Sequence, residues 1–370
     1  MRILFALLAA ATLTLATAQD FVYGITFDAG GKFDGSFNEG TFRGLERAIA
    51  ELEAQRGLEI DMLEFEGTPD TAAQGLRQIA AEGAELIVSP GFLQADAVAA
   101  VSAEFPDTYF VLIDSVVDGP NVRSVVFKEH EGSFLVGYIA GSLSQTGIVG
   151  FVGGMDIPLI RAFDSGYQQG VKYACPTCTI ISNYVGVTPT AWNDPTRAKE
   201  LAAAQQAQGA DIIYAAAGAS GNGVIDFVKE NMCFQGATRE TALTAALANV
   251  PVYPAYAAAC PAGSQPLFFI GVDSNQNPFG DTDGDPNTLN HGLTSMLKRV
   301  DVAAYNAAFD VADGTFASGT VVLGLAEGGV GYSLDAYNDA LVPADLRTEL
   351  QVISDMIVSG QLVVSDFRSQ

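Results

Sequence analysis

From residue 21 onward, short apolar runs alternate with segments whose apolar residues recur every three or four positions, the signature of strand–helix units in parallel sheets. Phe21 to Asp28 predicts a strand, followed by a glycine-rich turn. The next segment carries an apolar stripe at Phe42, Leu45, Ile49 and Leu52, and Ser36 with Glu39 predicts a capping box at its start. Ile60 to Phe65 predicts a strand, and Leu76 and Ile79 mark a helix after it. Glu85 to Ser89 and Tyr109 to Asp114 are continuous apolar runs of the kind buried on both faces, with an alanine-rich helix between them.

A second series begins near Ile148. Ile148 to Gly153 predicts its first strand, and Leu159, Ile160, Phe163, Tyr167 and Val171 lie on one face of the helix that follows. Thr179 to Val187, Asp211 to Ala217 and Leu267 to Val272 supply further strands. Asp194-Pro195 opens a helix with an N-cap and a proline at the first helical position. Two successive open α/β sheets predict a bilobal architecture, and such sheets bind ligands beyond the carboxyl ends of their strands. Asp28, Asp114, Gly153-Gly154, Gly218 and Asp273 fall at those ends. Each alone is an ordinary cap or turn residue; their recurrence along one edge of both sheets points to a site.

The start of the chain carries a different signal. Met1-Arg2 precedes an apolar stretch from Ile3 to Ala16, and Ala16-Thr17-Ala18 offers small residues for cleavage. Residues 1–18 are expected to be a signal peptide cut after Ala18. The first cysteine is Cys175, so no lipid-anchor cysteine follows the apolar run. A net charge of −25 argues against nucleic acid as a partner. In an exported chain the four cysteines suggest two disulfides, a local Cys175–Cys178 bridge and a Cys233–Cys260 bridge closing a longer excursion.

Enzyme signatures are sparse. The two histidines, His130 and His291, stand in no metal-ligand spacing, and no GxSxG elbow, P-loop or HExxH occurs. Asp281-Thr282-Asp283-Gly284-Asp285 resembles the start of a calcium loop, but its glycine falls two places early and Gly292 stands where the bidentate glutamate belongs. No metal or other cofactor is expected. Phe37 and Trp192, the sole tryptophan, could stack on a planar ring, while carboxylates and a lysine suit hydroxyl groups.

The run Asp28 to Asn38 (DAGGKFDGSFN), with Gly40 and Gly44, resembles the opening motif of the basic membrane protein family. These are bacterial substrate-binding proteins similar to the purine-nucleoside receptor A lipoproteins of ABC transporters. The likeness continues through Leu112 to Asp114, Phe127 to Gly137, Val149 to Gly154, Phe163 to Gly170, Asn193 to Pro195, Gly271 to Gln276 and Thr294 to Asp301. It covers essentially the whole chain after the leader.

The resemblance implies a type I periplasmic-binding-protein fold, two doubly wound lobes with a hinge of three crossing segments. The expected N-terminal lobe is 19–128 plus about 292–318, and the C-terminal lobe 129–291 plus about 319–370. Carried onto matching positions, Asp28, Asn38 and Asp114 would address a base edge and Phe37 would stack on it. Gly218, Asp273 and Lys298 would hold a ribose, and Trp192 would be the second stacking face, where the family commonly has phenylalanine. The implied function is capture of a nucleoside and delivery to an inner-membrane ABC permease. With no anchor cysteine the protein is expected to diffuse freely in the periplasm, and a monomer is expected of a protein that must close around its ligand. A sugar, an autoinducer or riboflavin in the same cleft, a nucleoside-processing enzyme and a sensory partner stay open as alternatives. Three departures stand out: Thr188 to Ala191 before Trp192, the Cys233–Cys260 excursion, and the absent anchor cysteine.

Overall fold

The computed structural model describes residues 20–369. In chain order the elements are β1 (Asp20–Phe27), α1 (Phe37–Arg56), β2 (Glu59–Glu66), α2 (Ala72–Ala81), β3 (Leu86–Pro90), α3 (Ala95–Glu104), β4 (Tyr109–Ile113) and β5 (Val122–Phe127). Then come α4 (Glu129–Leu143), β6 (Ile148–Met155), α5 (Pro158–Ala174), β7 (Thr179–Gly186), α6 (Pro195–Gln206), β8 (Ile212–Ala216) and α7 (Gly221–Asn231). The chain continues with β9 (Cys233–Phe234), α8 (Ala242–Leu247), α9 (Pro254–Ala259), β10 (Gln265–Pro266), β11 (Phe268–Asp273), β12 (Gly292–Lys298) and α10 (Val300–Ala312). It ends in β13 (Gly319–Leu323), β14 (Val330–Tyr332) and α11 (Ala344–Val358).

These strands build two six-stranded sheets, β13-β5-β4-β3-β1-β2 and β14-β12-β11-β8-β6-β7. Every pairing in the first is parallel; in the second only β14 runs antiparallel, against β12. The two orders correspond position by position: β1 to β6, β3 to β8, β4 to β11, β5 to β12. Alternate side chains explain why the runs are apolar throughout. In β4, Phe110 and Leu112 pack with Leu76, Ile79 and Val98, while Val111 and Ile113 join the opposite core with Tyr23, Leu45 and Leu52.

In the second lobe α4 and α5 cross so closely that a Cβ at Gly137 would lie 2.2 Å from the Tyr167 carbonyl and one at Gly170 2.0 Å from that of Phe134. Side chains there would force the helices apart, which accounts for glycines at these places in both motif segments. The small β9–β10 ladder carries the excursion, and Cys233–Cys260 and Cys175–Cys178 are both bonded.

The chain passes between lobes at three points: between β5 and α4, between β12 and α10, and between β13 and β14. This shifts the expected boundaries. Gly292–Lys298 pairs with β11 in the second sheet, and Gly319–Leu323 with β5 in the first. The 292–298 run is apolar enough for either sheet, so only its partners assign it. The crossings are tied together where Lys128 N donates to Leu323 O and Arg299 N to Gly329 O.

The predicted capping box does not form. Ser36 makes no side-chain cap to α1. Asp34 takes that role, its carboxylate accepting from the backbone N–H groups of Ser36, Asn38 and Glu39 at 2.9, 2.9 and 3.1 Å. By contrast Asp194 caps α6 as expected, accepting from Arg197 N at 2.9 Å.

The signal-peptide expectation, residues 1–18, lies outside the described residues. No described helix is long and apolar enough to cross a membrane.

Candidate functional site

The carboxyl ends of both sheets face one another across a cavity of about 570 Å³, counting the space that opens towards solvent. All eight residues singled out from the sequence, Asp28, Phe37, Asn38, Asp114, Trp192, Gly218, Asp273 and Lys298, line this one cavity.

The first lobe contributes the loop after β1. Asp28 accepts from Ala29 N at 2.7 Å, and Asn38 Oδ1 accepts from Asp28 N at 3.1 Å, so the loop folds back on the start of α1. Lys32 of the same motif points away from the cavity. It pairs with Glu64 at 2.6 Å and lies over the Phe42 ring, fixing the loop to β2. Gly91, after β3, holds φ at +104°, and a Cβ there would stand 1.8 Å from Asp28 Oδ2. This glycine therefore makes room for the carboxylate.

Asp114 directly follows β4 and Asp273 ends the corresponding strand β11, and both adopt left-handed backbone, φ 72° and 62°. Few residues other than glycine do so, and aspartate is among the more tolerant. The turn swings each carboxylate off the strand end into the cleft. Between them sits Lys298, the last residue of β12, with a side chain only 1% exposed. Its Nζ lies 2.6 Å from Asp114 Oδ1 and 3.1 Å from Glu129 Oε1, with the rings of Phe37, Phe127 and Phe163 each 5.1–5.4 Å away.

Trp192 ends a short turn, Pro189–Trp192, that Ser220 pins from both sides by accepting from Asp194 N and donating to Ala191 O. Its ring lies against Gly154, where a Cβ would come within 2.5 Å, and Phe92 meets it edge-on from the first lobe at 6.5 Å. The indole Nε1 is buried and has no partner among the protein atoms.

Burial dominates the electrostatics. Desolvation pushes the Asp28 carboxyl up to about 7, with Asp114 and Asp34 adding to the rise against the Ala29 bond. Desolvation likewise lifts Asp273 to about 7, partly offset by Lys298. Asp34 rises to about 6 for the same first reason, restrained by its three backbone donors. Lys298 is driven down by burial, but Asp114, Glu129 and Asp273 outweigh this and keep it charged.

The lobes touch directly around the cavity. Ser36, freed from capping, stands 3.0 Å from both Val272 O and Asp273 Oδ2, and Ser274 Oγ donates to Ser36 O at 2.8 Å. Gln276 Nε2 donates to Gly35 O at 3.0 Å. The cleft is thus closed.

Other lining residues escaped the sequence reading. Gly91 and Phe92 follow a predicted strand and were open to the strand-end rule. Ile160 and Phe163 were read only as part of a core-facing stripe; the first turns of α5 also face the cavity. Asp34 carried no signal beyond its place in the motif. Neither histidine lines the cavity: His291 is buried between Tyr253 and Leu267 O, and His130 lies near Asp366. The 281–288 loop closes on its own backbone and side chains, with Asp281 accepting from Asp283 N and Gly284 N. Among the described residues no cluster of three or more His, Cys, Asp or Glu could hold a metal.

Two corresponding lobes built on mostly parallel sheets, three crossings and an apolar, aromatic-lined cleft that carries carboxylates and one lysine between the strand ends define a bilobal solute-binding protein. The family described as "ABC transporter substrate-binding protein PnrA-like" matches residues 21–362, and the chain belongs to that family. Its members are extracytoplasmic proteins that bind small molecules and hand them to ABC permeases. The chain is 29% identical to the CD4+ T-cell-stimulating antigen of Listeria monocytogenes, over 95% of this chain and 89% of that one. It is 28% identical to the ABC transporter nucleoside-binding protein of Lactococcus lactis, over 91% and 88%. Among solved structures, an ABC transporter solute-binding protein from Aeropyrum pernix superposes with a TM-score of 0.71 at 26% identity, covering 94% of this chain and 96% of that one.

Proposed function

We propose that this protein captures a purine nucleoside between its lobes and delivers it to an inner-membrane ABC permease, without catalysing any reaction on it. The observation that carries this reading is the make-up of the cleft. An aromatic ring stands on each lobe, Phe37 and Trp192, among carboxylates from both lobes and one buried lysine. Aromatic faces suit a planar base, with stacking worth roughly 1–3 kcal/mol. Ionised carboxylates accept hydroxyl and ring N–H groups through strong, charge-assisted bonds. In this reading Asp28, Asn38 and Asp114 address the base edge, and Phe37 and Trp192 sandwich it. Gly218, Asp273 and Lys298 hold the ribose. The nucleoside-binding name of the Lactococcus relative supports the same choice.

Capture proceeds by hinge bending at the three crossings, because only the closed cleft offers a ligand both walls. A monomer suffices for this cycle. We also propose that residues 1–18 are removed on export and that the mature protein diffuses freely in the periplasm; amino-terminal sequencing of the exported protein checks this by finding Gln19 first.

The deciding experiment is a thermal-shift screen of ligand-stripped protein with inosine, guanosine, adenosine, free bases, ribose and riboflavin. Ligand at about 100 times its Kd adds roughly 2.7 kcal/mol of stability. Stabilisation by nucleosides but not by ribose is expected. Silence from every nucleoside with a response to riboflavin or a sugar overturns the ligand, and conversion of inosine to base and ribose overturns the non-enzymatic reading.

A further inference from the structure

Glu129 opens α4 directly behind the cavity wall, is fully buried, and lines no part of the cavity. Its two oxygens serve two cations. Oε1 lies 3.1 Å from Lys298 Nζ, and Oε2 lies 2.9 Å from the guanidinium of Arg368, in the turn Phe367–Ser369 at the carboxyl end. Arg368 also donates to Phe127 O at 3.1 Å and pairs with Asp366 at 3.0 Å. Phe127 and Glu129 flank the first lobe crossing, and Lys298 immediately precedes the second. A line of alternating charge therefore runs Arg368–Glu129–Lys298–Asp114, from the surface past two crossings into the cleft.

We infer that Arg368, although outside the cavity, is a positioning residue for ligand capture. By placing its charge beside one oxygen of Glu129 it leaves the Lys298 ammonium to Asp114 and the ligand. Lys298 is a single point charge between two buried carboxylates, and whichever lacks another partner draws it. Without Arg368, Glu129 is the carboxylate left short. Lys298 then retreats from Asp114, and the ion pair joining the two lobes weakens. Arg368 is placed for the task, because its Nη2 donates to the carbonyl on one side of the crossing and stands beside the carboxylate on the other. The inference rests on reading the cleft as a nucleoside site, but one arm of its test does not.

The test compares wild type, Arg368→Gln, Arg368→Lys and the double variant Arg368→Gln/Glu129→Gln. Inosine affinity is measured by calorimetry, and opening of the ligand-free protein by emission of Trp192, the sole tryptophan. Breaking a buried pair on one side is costly, whereas removing both partners is far less so. Arg368→Gln is expected to weaken inosine binding by about tenfold or more and to shift Trp192 emission to the red as water enters the cleft. Arg368→Lys recovers part of both effects. The double variant returns to within about threefold of wild type, which a tail serving only as packing would not do. Should wild type ignore inosine, the nucleoside reading fails and the emission series alone decides. Arg368→Gln indistinguishable from wild type, or a double variant no better than it, overturns the role of Arg368.

Discussion

Replacing Asp273 with asparagine separates what this side chain costs the empty protein from what it contributes to binding. Asparagine keeps the shape, tolerates the left-handed φ of 62° and can still accept from Ser36. Burial holds the wild-type carboxyl at about 7, against 3.8 for its ordinary value. The closed protein therefore binds this proton more tightly than the unfolded chain does. Stability falls as pH rises from about 4 towards 7, and the cost is complete above 7. At about 1.4 kcal/mol for each pH unit between the two values, it reaches about 4 kcal/mol. That figure is an upper limit, because opening returns water to the carboxylate. Ligand-free Asp273→Asn should accordingly melt several degrees above wild type at pH 8, at roughly 2–4 °C per kcal/mol, and level with it near pH 4. Affinity should move the other way. Loss of a charge-assisted bond costs about 1.5–3 kcal/mol, so inosine binding at pH 8 weakens about 10- to 150-fold. Differential scanning fluorimetry at both pH values and calorimetry at pH 8 measure the two effects. An equal melting difference at both pH values refutes the burial argument, and unchanged inosine affinity refutes the ribose assignment.

Two further substitutions probe the cleft loop. Asp34→Ala removes the acceptor for three backbone donors at the start of α1 and should cost about 2 kcal/mol in urea unfolding, whereas Ser36→Ala should leave that stability nearly intact. Its effect belongs to the lobe contact instead, seen as a larger radius of gyration of the ligand-free protein in solution scattering. Gly91→Ala drives a Cβ into Asp28 and imposes a left-handed φ on alanine; it should cost about 1–3 kcal/mol and abolish inosine binding in calorimetry.

The strands and their helices were legible because both faces of each sheet are covered, so an apolar run can be read without knowing its partners. Strand ends were legible for the same reason, and they carried Asp28, Asp114, Gly218 and Asp273 into the candidate site. The capping of α1 was misread because Ser36 and Glu39 satisfy the local pattern. Asp34 instead reaches the same N–H groups through the glycine turn, and the other lobe offers Ser36 better partners. The boundaries at 292 and 319 moved because hydrophobicity does not say which sheet a strand joins. Glu129 and Arg368 were beyond reach altogether: they meet only because the carboxyl terminus returns to the first crossing.

The correspondence between the lobes has an evolutionary consequence. Asp114 matches Asp273 and Gly91 matches Gly218, each pair occupying one place in the same strand order with the same handedness of backbone. Such a plan has the form of an ancestral unit present twice, in which each copy supplies half of the enclosure. Mutations that retune one half reach the other half's carboxylate only through the few contacts between lobes, Lys298 with Asp114 and Ser36 with Asp273. New specificities can then arise one lobe at a time, while the shared hinge and the closing motion are inherited unchanged.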